Sequence, residues 1–317
     1  MNMYLLLVSG FAVLIFGGEL LVRGAAGLAL KSRISPLVVG LTVVSIGTSA
    51  PELFSSLQAV WRDSAEIAVG NVIGSNIANL GLVLAITALI FPIAVDRQVL
   101  RQDWPMMVIA TLAFFFFSLD GRLVFLDGLI FIVTLTFFTV YLIVRSRMQS
   151  KEREHLEESD EFVKVAKQPF VKLLVLILLG CIGLYFGSSW FLDGAIQLAS
   201  QFGVSDHVIG VTVVAFGTSV PELAASGIAA FRKQSDISIG NLIGSNIFNV
   251  LGVLGVTSMV SPLVISEEIM AWDFYWMLGI ALLLFPMIFF KKKIGRIDGI
   301  LLLACYAAYI AFLVVRK

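Results

Sequence analysis

The chain has 317 residues, 59% of them hydrophobic and only 14% charged, against about 25% charged in an ordinary soluble domain. Its 22 basic and 22 acidic residues cancel, and the mean hydropathy is +0.97. This excludes a soluble enzyme and leaves no basic footprint for nucleic acid; lipid is the solvent that fits most of the chain.

Hydropathy predicts an all-α integral membrane protein with ten spans, near residues 3–22, 36–60, 67–91, 104–119, 122–144, 170–192, 207–230, 237–262, 272–290 and 295–315. Most match the ~17 to 25 residues that cross ~30 Å of hydrocarbon as a helix. The first stretch, MNMYLLLVSGFAVLIFGGELLVR, has neither a basic n-region nor an obvious cleavage site and is predicted to be kept as a span. Glu19 and Arg23, four apart near its end, suit an end-of-helix ion pair; their counterparts 170 residues on, Ser189 and Asp193, do not copy it. The phenylalanine run 114–117 reads as lipid-facing or packing surface. After the fifth span, Arg145 to Lys167 carries 12 of the 44 charges with mixed sign, as a solvated linker would. Cys181 and Cys305 lie far apart in apolar runs and read as packing residues. Asp120, Asp127, Asp206, Glu267, Glu268 and Asp273 read as solvated charges on one side.

Sorting Lys and Arg by side of the ten spans puts 18 on one side and 4, namely Arg62, Arg122, Arg316 and Lys317, on the other. The crowded side is predicted to be cytoplasmic. Both termini then lie outside and the central linker inside.

The sequence is also duplicated. TVVSIGTSAPEL at 42–53 returns as TVVAFGTSVPEL at 212–223, and IAVGNVIGSNIAN at 67–79 as ISIGNLIGSNIFN at 237–249, both at an offset of 170, which Pro92 and Pro262 also keep. Each half holds five spans, an odd number, so the second must enter the membrane upside down. The predicted organisation is a first inverted repeat at 1–145, a linker at 146–169 and a second repeat at 170–317, with a site near the midplane where the halves meet.

Glu52 and Glu222 fall well inside apolar spans, where a carboxylate needs a counter-charge. Each follows a proline, Pro51 or Pro221, that withholds an N–H from the carbonyl four residues back and should break the helix. A freed carbonyl in lipid needs another partner, and carbonyls beside a carboxylate make an oxygen-lined cation site. Thr48 and Ser49 share a helical face with Glu52, as Thr218 and Ser219 do with Glu222. The following helix in each half adds a polar stripe, Asn71, Ser75 and Asn79 or Asn241, Ser245 and Asn249. Of these, Ser75, Asn79, Ser245 and Asn249 are assigned to the site, whereas Asn71, Asn76, Asn241 and Asn246 fit interhelical hydrogen bonding equally well. All these ligands are hard oxygens, suiting Ca²⁺ or Na⁺. With only His155 and His207 in the chain, both outside the spans' interiors, a soft-metal route has no ligand cluster. One Ca²⁺ neutralises two glutamates, and so do two Na⁺ or two protons.

The motifs GTSAPE, GNVIGSNIAN, GTSVPE and GNLIGSNIFN resemble the paired alpha repeats of the sodium/calcium exchanger family, within the cation/calcium antiporter superfamily, and the resemblance covers essentially the whole chain. It implies a plasma-membrane antiporter, in the inner membrane of a Gram-negative cell, that exports Ca²⁺ on the Na⁺ gradient by alternating access. By that resemblance Ca²⁺ is held by the carboxylates of Glu52 and Glu222 and the carbonyls of Thr48 and Thr218. Sodium sites draw on Ser49, Ser75, Ser219 and Ser245 with the carbonyls of Ser45 and Ala215, Asn79 and Asn249 line the centre, and the first and sixth spans slide as a gating pair. Asn249 stands where several relatives carry Asp, which weakens the case for K⁺ co-transport. No cofactor and no obligatory protein partner are expected beyond the transported ions and membrane lipid. The alternative is a Ca²⁺/H⁺ or other divalent cation/proton antiporter on the same glutamates; a hydrolase using the two acids, and a passive channel, are more distant readings.

Overall fold

The computed structural model describes residues 2–62, 64–150, 164–202 and 217–315, and nearly all of them are helical. In chain order the helices are α1 (Met3–Ser32), α2 (Pro36–Thr48), α3 (Ala50–Trp61), α4 (Ala65–Ile90), α5 (Val99–Phe117), α6 (Phe125–Ser150), α7 (Phe170–Gln201), α8 (Val220–Phe231), α9 (Ser235–Val260), α10 (Ile269–Lys291) and α11 (Arg296–Val315). Eight of these are each long and apolar enough to cross a membrane, and α2 with α3 makes a ninth, bent by 42°. Of the expected span 207–230 only residues 217–230 are described; Ala215, Asp206, both histidines and most of the linker lie outside the described residues.

The duplication reaches the backbone. At the same 170-residue offset, α8 repeats α3 and α9 repeats α4, and α4 and α9 each widen into a π-helical stretch at the asparagine, Asn79–Leu84 and Asn249–Leu254. A second pair of π stretches, Val99–Asp103 and Ile269–Asp273, opens α5 and α10. Two short antiparallel ribbons fix the ends of the bundle: β1 (Ile93–Ala94) pairs with β4 (Lys293–Ile294), and β2 (Arg122–Leu123) with β3 (Leu263–Val264). The loops after α4 and α10 therefore share one end, and those after α5 and α9 share another.

The main core runs along α4 and α9, where Val72, Ile73, Ile77 and Leu80 are buried in one cluster with Leu242, Ile243, Val250 and Leu254. The phenylalanine run divides, Phe114 entering this core while Phe116 points outward with Phe137 and Phe290, the apolar surface that acyl chains would cover.

The pair α1 and α7 is seated on a second, smaller cluster, in which Leu14, Leu21 and Val22 join Leu184, Val220 and Ile228. Their backbones touch: a Cβ on Gly17 would lie 2.8 Å from the Leu184 nitrogen, and one on the repeat-related Gly187 2.7 Å from the Leu14 nitrogen. Such approach is how helices associate where no hydrophobic drive separates them from lipid. Both helices run past the expected ends at 22 and 192, to 30 and 32 residues. Charge at Glu19, Arg23 and Asp193 marked those ends in the sequence, but ion pairing lets α1 continue to a left-handed cap at Arg33 (φ 54°). Gly187→Leu is expected to destabilise the protein by about 3 kcal/mol, seen as a lower melting temperature in detergent. Gly279→Leu, where an added Cβ meets nothing within 4 Å, should leave it unchanged.

Candidate cation site

The break between α2 and α3 falls at Ser49 (φ −90°, ψ 6°), and Ser219 before α8 has the same conformation (φ −92°, ψ 4°). Proline causes both, since Pro51 and Pro221 have no N–H to continue the ladder yet suit the first turn of a new helix. The orphaned carbonyl of Gly217 takes a hydrogen bond from Ser188 Oγ at 3.1 Å, a partner the sequence did not announce. Restarting there places Glu52 and Glu222 in first turns, where free N–H groups and the helix dipole favour an anion.

Both glutamates are wholly buried, and among the described residues neither pairs with a cation. Among the described residues neither oxygen of Glu52 has a hydrogen-bond partner; Glu222 accepts from Ser49 Oγ at 3.1 Å, with the Thr48 hydroxyl beside it. The two are close enough to repel.

Around them the halves interlock. Thr48 Oγ1 lies 3.4 Å from Ser245 Oγ, and the repeat-related Thr218 Oγ1 lies 3.4 Å from Ser75 Oγ. Thr48 also donates to Asn241 Oδ1 at 3.1 Å. Each broken helix thus faces the asparagine helix of the other half. Asn79 and Asn249 sit where the π stretches begin. Among the described residues the Asn79 amide has no partner, and Asn249 donates to Asn76 Oδ1 at 3.1 Å while its own oxygen stays unpaired. Ser219 Oγ is buried and, among the described residues, unpaired as well. The Ser45 carbonyl accepts from the Ser49 N–H at 2.9 Å.

The other asparagines are hydrogen-bonded within the bundle. Asn71 donates to Ser56 Oγ at 3.2 Å and Asn241 to Ser226 Oγ at 2.9 Å, a mirrored pair; Asn76 donates to the Asn246 carbonyl and Asn246 to that of Leu242. Ser56 and Ser226 carry the 170-residue offset, so a search of the repeat beyond its motifs would have found them. Asp103, buried outside this cluster with both oxygens unpaired among the described residues, has Asp273 at the same offset and was open to the same search. Among the described residues no three His, Cys, Asp or Glu side chains gather at one point, so a cation here must be completed by neutral oxygens.

The family model described as sodium/calcium exchanger protein matches residues 2–144 and 172–315. The sodium/calcium exchanger MaX1 of Methanosarcina acetivorans is 31% identical over an alignment of 348 residues that covers 98% of each chain. The inner membrane protein YrbG of Escherichia coli is 31% identical over 312 residues, 97% of this chain and 95% of its own. Among solved structures, the sodium-calcium exchanger NCX_Mj matches with a TM-score of 0.80 at 33% identity over 97% of each chain. With both repeats matched and the fold shared end to end, this multi-pass membrane protein belongs to the sodium/calcium exchanger protein family.

Proposed function

We propose that the protein is a secondary active antiporter that exchanges Na⁺ for Ca²⁺ through one site built on Glu52 and Glu222. The observation that carries this is where unsatisfied polar atoms collect. Of the eleven buried side-chain atoms without a hydrogen-bond partner among the described residues, seven belong to Glu52, Asn79, Ser219, Glu222 and Asn249. Burying an unpaired carboxylate costs several kcal/mol, and a bound cation removes that cost. Six of the seven atoms are oxygens, three of them from the two carboxylates, and hard oxygen is the ligand type that Ca²⁺ and Na⁺ take.

In this reading Ca²⁺ is held by both carboxylates and the carbonyls of Thr48 and Thr218. Sodium uses Ser49, Ser75, Ser219 and Ser245 with the carbonyls of Ser45 and Ala215, and Asn79 and Asn249 line the centre. Since two carboxylates balance one Ca²⁺ or two Na⁺, the ions exclude one another and each leaves as the other arrives. The site sits between two inverted five-span repeats, 1–145 and 170–317, ten spans in all, joined by a cytoplasmic linker at 146–169. Alternating access follows from sliding of α1 and α7 against the rest, a motion that their separate apolar seat supports. The 18 to 4 division of Lys and Arg supports both termini outside, and the relative named an inner membrane protein supports a cell-membrane location. Sodium as the coupling ion draws support from MaX1 and NCX_Mj, both named sodium-calcium exchangers.

The test is Ca²⁺ uptake into proteoliposomes loaded with Na⁺, beside vesicles carrying only a pH gradient or added K⁺. Uptake should need internal Na⁺ alone. Uptake that follows the pH gradient instead would make protons the coupling ion.

A further inference from the structure

We infer that two repeat-related charge pairs act as alternating latches, Glu19 with Arg232 at one end of the molecule and Asp193 with Arg62 at the other. The inference rests on the alternating-access reading above. Glu19 on α1 accepts from Arg23 Nε at 2.6 Å and, across to the residue that follows α8, from Arg232 Nε at 3.0 Å. This bridge is half-buried, with side chains 21% and 31% exposed. Beside it α1 is pressed onto α8, since a Cβ on Gly18 would lie 2.5 Å from Ile228 Cδ1 and 3.3 Å from the Ala224 carbonyl.

The repeat-related helices, α7 and α3, have no comparable packing. On α7 the order of buried and exposed positions over 183–188 is that over 13–18, with Ser188, bonded to the Gly217 carbonyl, at the place of Gly18. The structure is therefore shut where α1 meets α8 and parted where α7 would meet α3. The 170-residue offset carries Arg232 to Arg62, Arg23 to Asp193 and Glu19 to Ser189. The acid on α7 thus lies one turn beyond the position of the acid on α1, ~5.4 Å along the helix, within the reach of an arginine. Asp193 and Arg62 are both exposed, and among the described residues neither takes part in an ion pair. Arg62 is also one of only four basic residues on its side of the charge division.

When α1 and α7 shift so that α7 packs on α3 as α1 now packs on α8, Asp193 and Arg62 meet and Glu19 leaves Arg232. Each bridge forms in the state in which the other is broken. Two bridges that exclude one another disfavour a state open at both ends, and so guard against leak. The Glu19–Arg232 bridge, partly desolvated where Asp193 and Arg62 are exposed, makes the stronger latch, which accounts for the state seen here.

The test uses the full chain in proteoliposomes, with Cys181→Ala and Cys305→Ala as background. Oxidative cross-linking of Arg62→Cys with Asp193→Cys is expected to be weak alone and about fivefold stronger once Glu19→Gln is added, the shift that losing one partly buried ion pair produces. The cross-link should stop transport, and reduction should restore it. In parallel, Arg62→Glu should slow transport and Arg62→Glu with Asp193→Arg should recover it. Cross-linking indifferent to Glu19→Gln, or a charge-swapped pair no faster than the single variant, overturns the latch. Cross-linking that responds to Glu19→Gln in protein without Na⁺-driven Ca²⁺ uptake would leave the latch standing and overturn the antiport reading instead.

Discussion

Glu52→Gln and Glu222→Gln are each expected to abolish Na⁺-driven Ca²⁺ uptake and to weaken Ca²⁺ binding by at least ~100-fold. The magnitude follows from what the carboxylates lack. Both are wholly buried; among the described residues Glu52 accepts no side-chain hydrogen bond, and Glu222 is met only by the hydroxyls of Ser49 and Thr48. Removing one partner of a buried charge pair costs ~3 to 5 kcal/mol, and each 1.4 kcal/mol is about tenfold in affinity. The sign for the ion-free protein is opposite. With no cation present the wild type holds two repelling, desolvated carboxylates, so either glutamine variant should melt higher than the wild type in chelator. Added Ca²⁺ at 100 times its dissociation constant should raise wild-type stability by ~2.7 kcal/mol and leave the variants unmoved. Thermal melting in detergent, with and without Ca²⁺, reads both effects. Variants that melt lower than the wild type in chelator would mean that the glutamates serve packing and not ion binding.

What the sequence made legible was what repeats in it. Composition supplied the membrane, and the 170-residue offset brought together Glu52, Thr48 and Ser75 with Glu222, Thr218 and Ser245 before any coordinates were at hand. The structure then supplied the pairing, Thr48 to Ser245 and Ser75 to Thr218. The π stretches at Asn79 and Asn249 were invisible because a wider turn alters backbone bonding without altering which residues are apolar. The lengths of α1 and α7 were missed for a related reason. Glu19 and Arg23 look like the end of a span when read locally, and the arginine that lets the helix carry a carboxylate past that point lies 213 residues away. Asp103 is an intermediate case: the offset pairs it with Asp273, but its burial comes from long-range packing that a window of hydropathy cannot register.

The second large effect concerns backbone approach. Gly244 lies on α9 between Asn241 and Ser245, and a Cβ there would sit 2.6 Å from the Leu41 carbonyl oxygen, 2.7 Å from Leu41 Cα and 2.8 Å from Ser45 Oγ. Two of the three obstacles are backbone, so no rotamer change relieves the clash; α2 and α9 must part by roughly an ångström. The contacts that parting stretches are Thr48 to Asn241 at 3.1 Å and Thr48 to Ser245 at 3.4 Å, and Thr48 lies four residues before Glu52. Gly244→Val should therefore cost about 1 to 3 kcal/mol of stability, the usual range for overpacking. It should reduce transport more than that cost explains, because a site held an ångström too loose loses its ligand geometry while still folded. The expected result is uptake below about a tenth of wild type at equal amounts of folded protein, with Ca²⁺ no longer raising the melting temperature. Gly244→Ala should fall between. If Gly244→Val folds and transports like the wild type, the close crossing of α2 and α9 does not set the geometry of Thr48 and Ser245, and the two halves of the site tolerate separation.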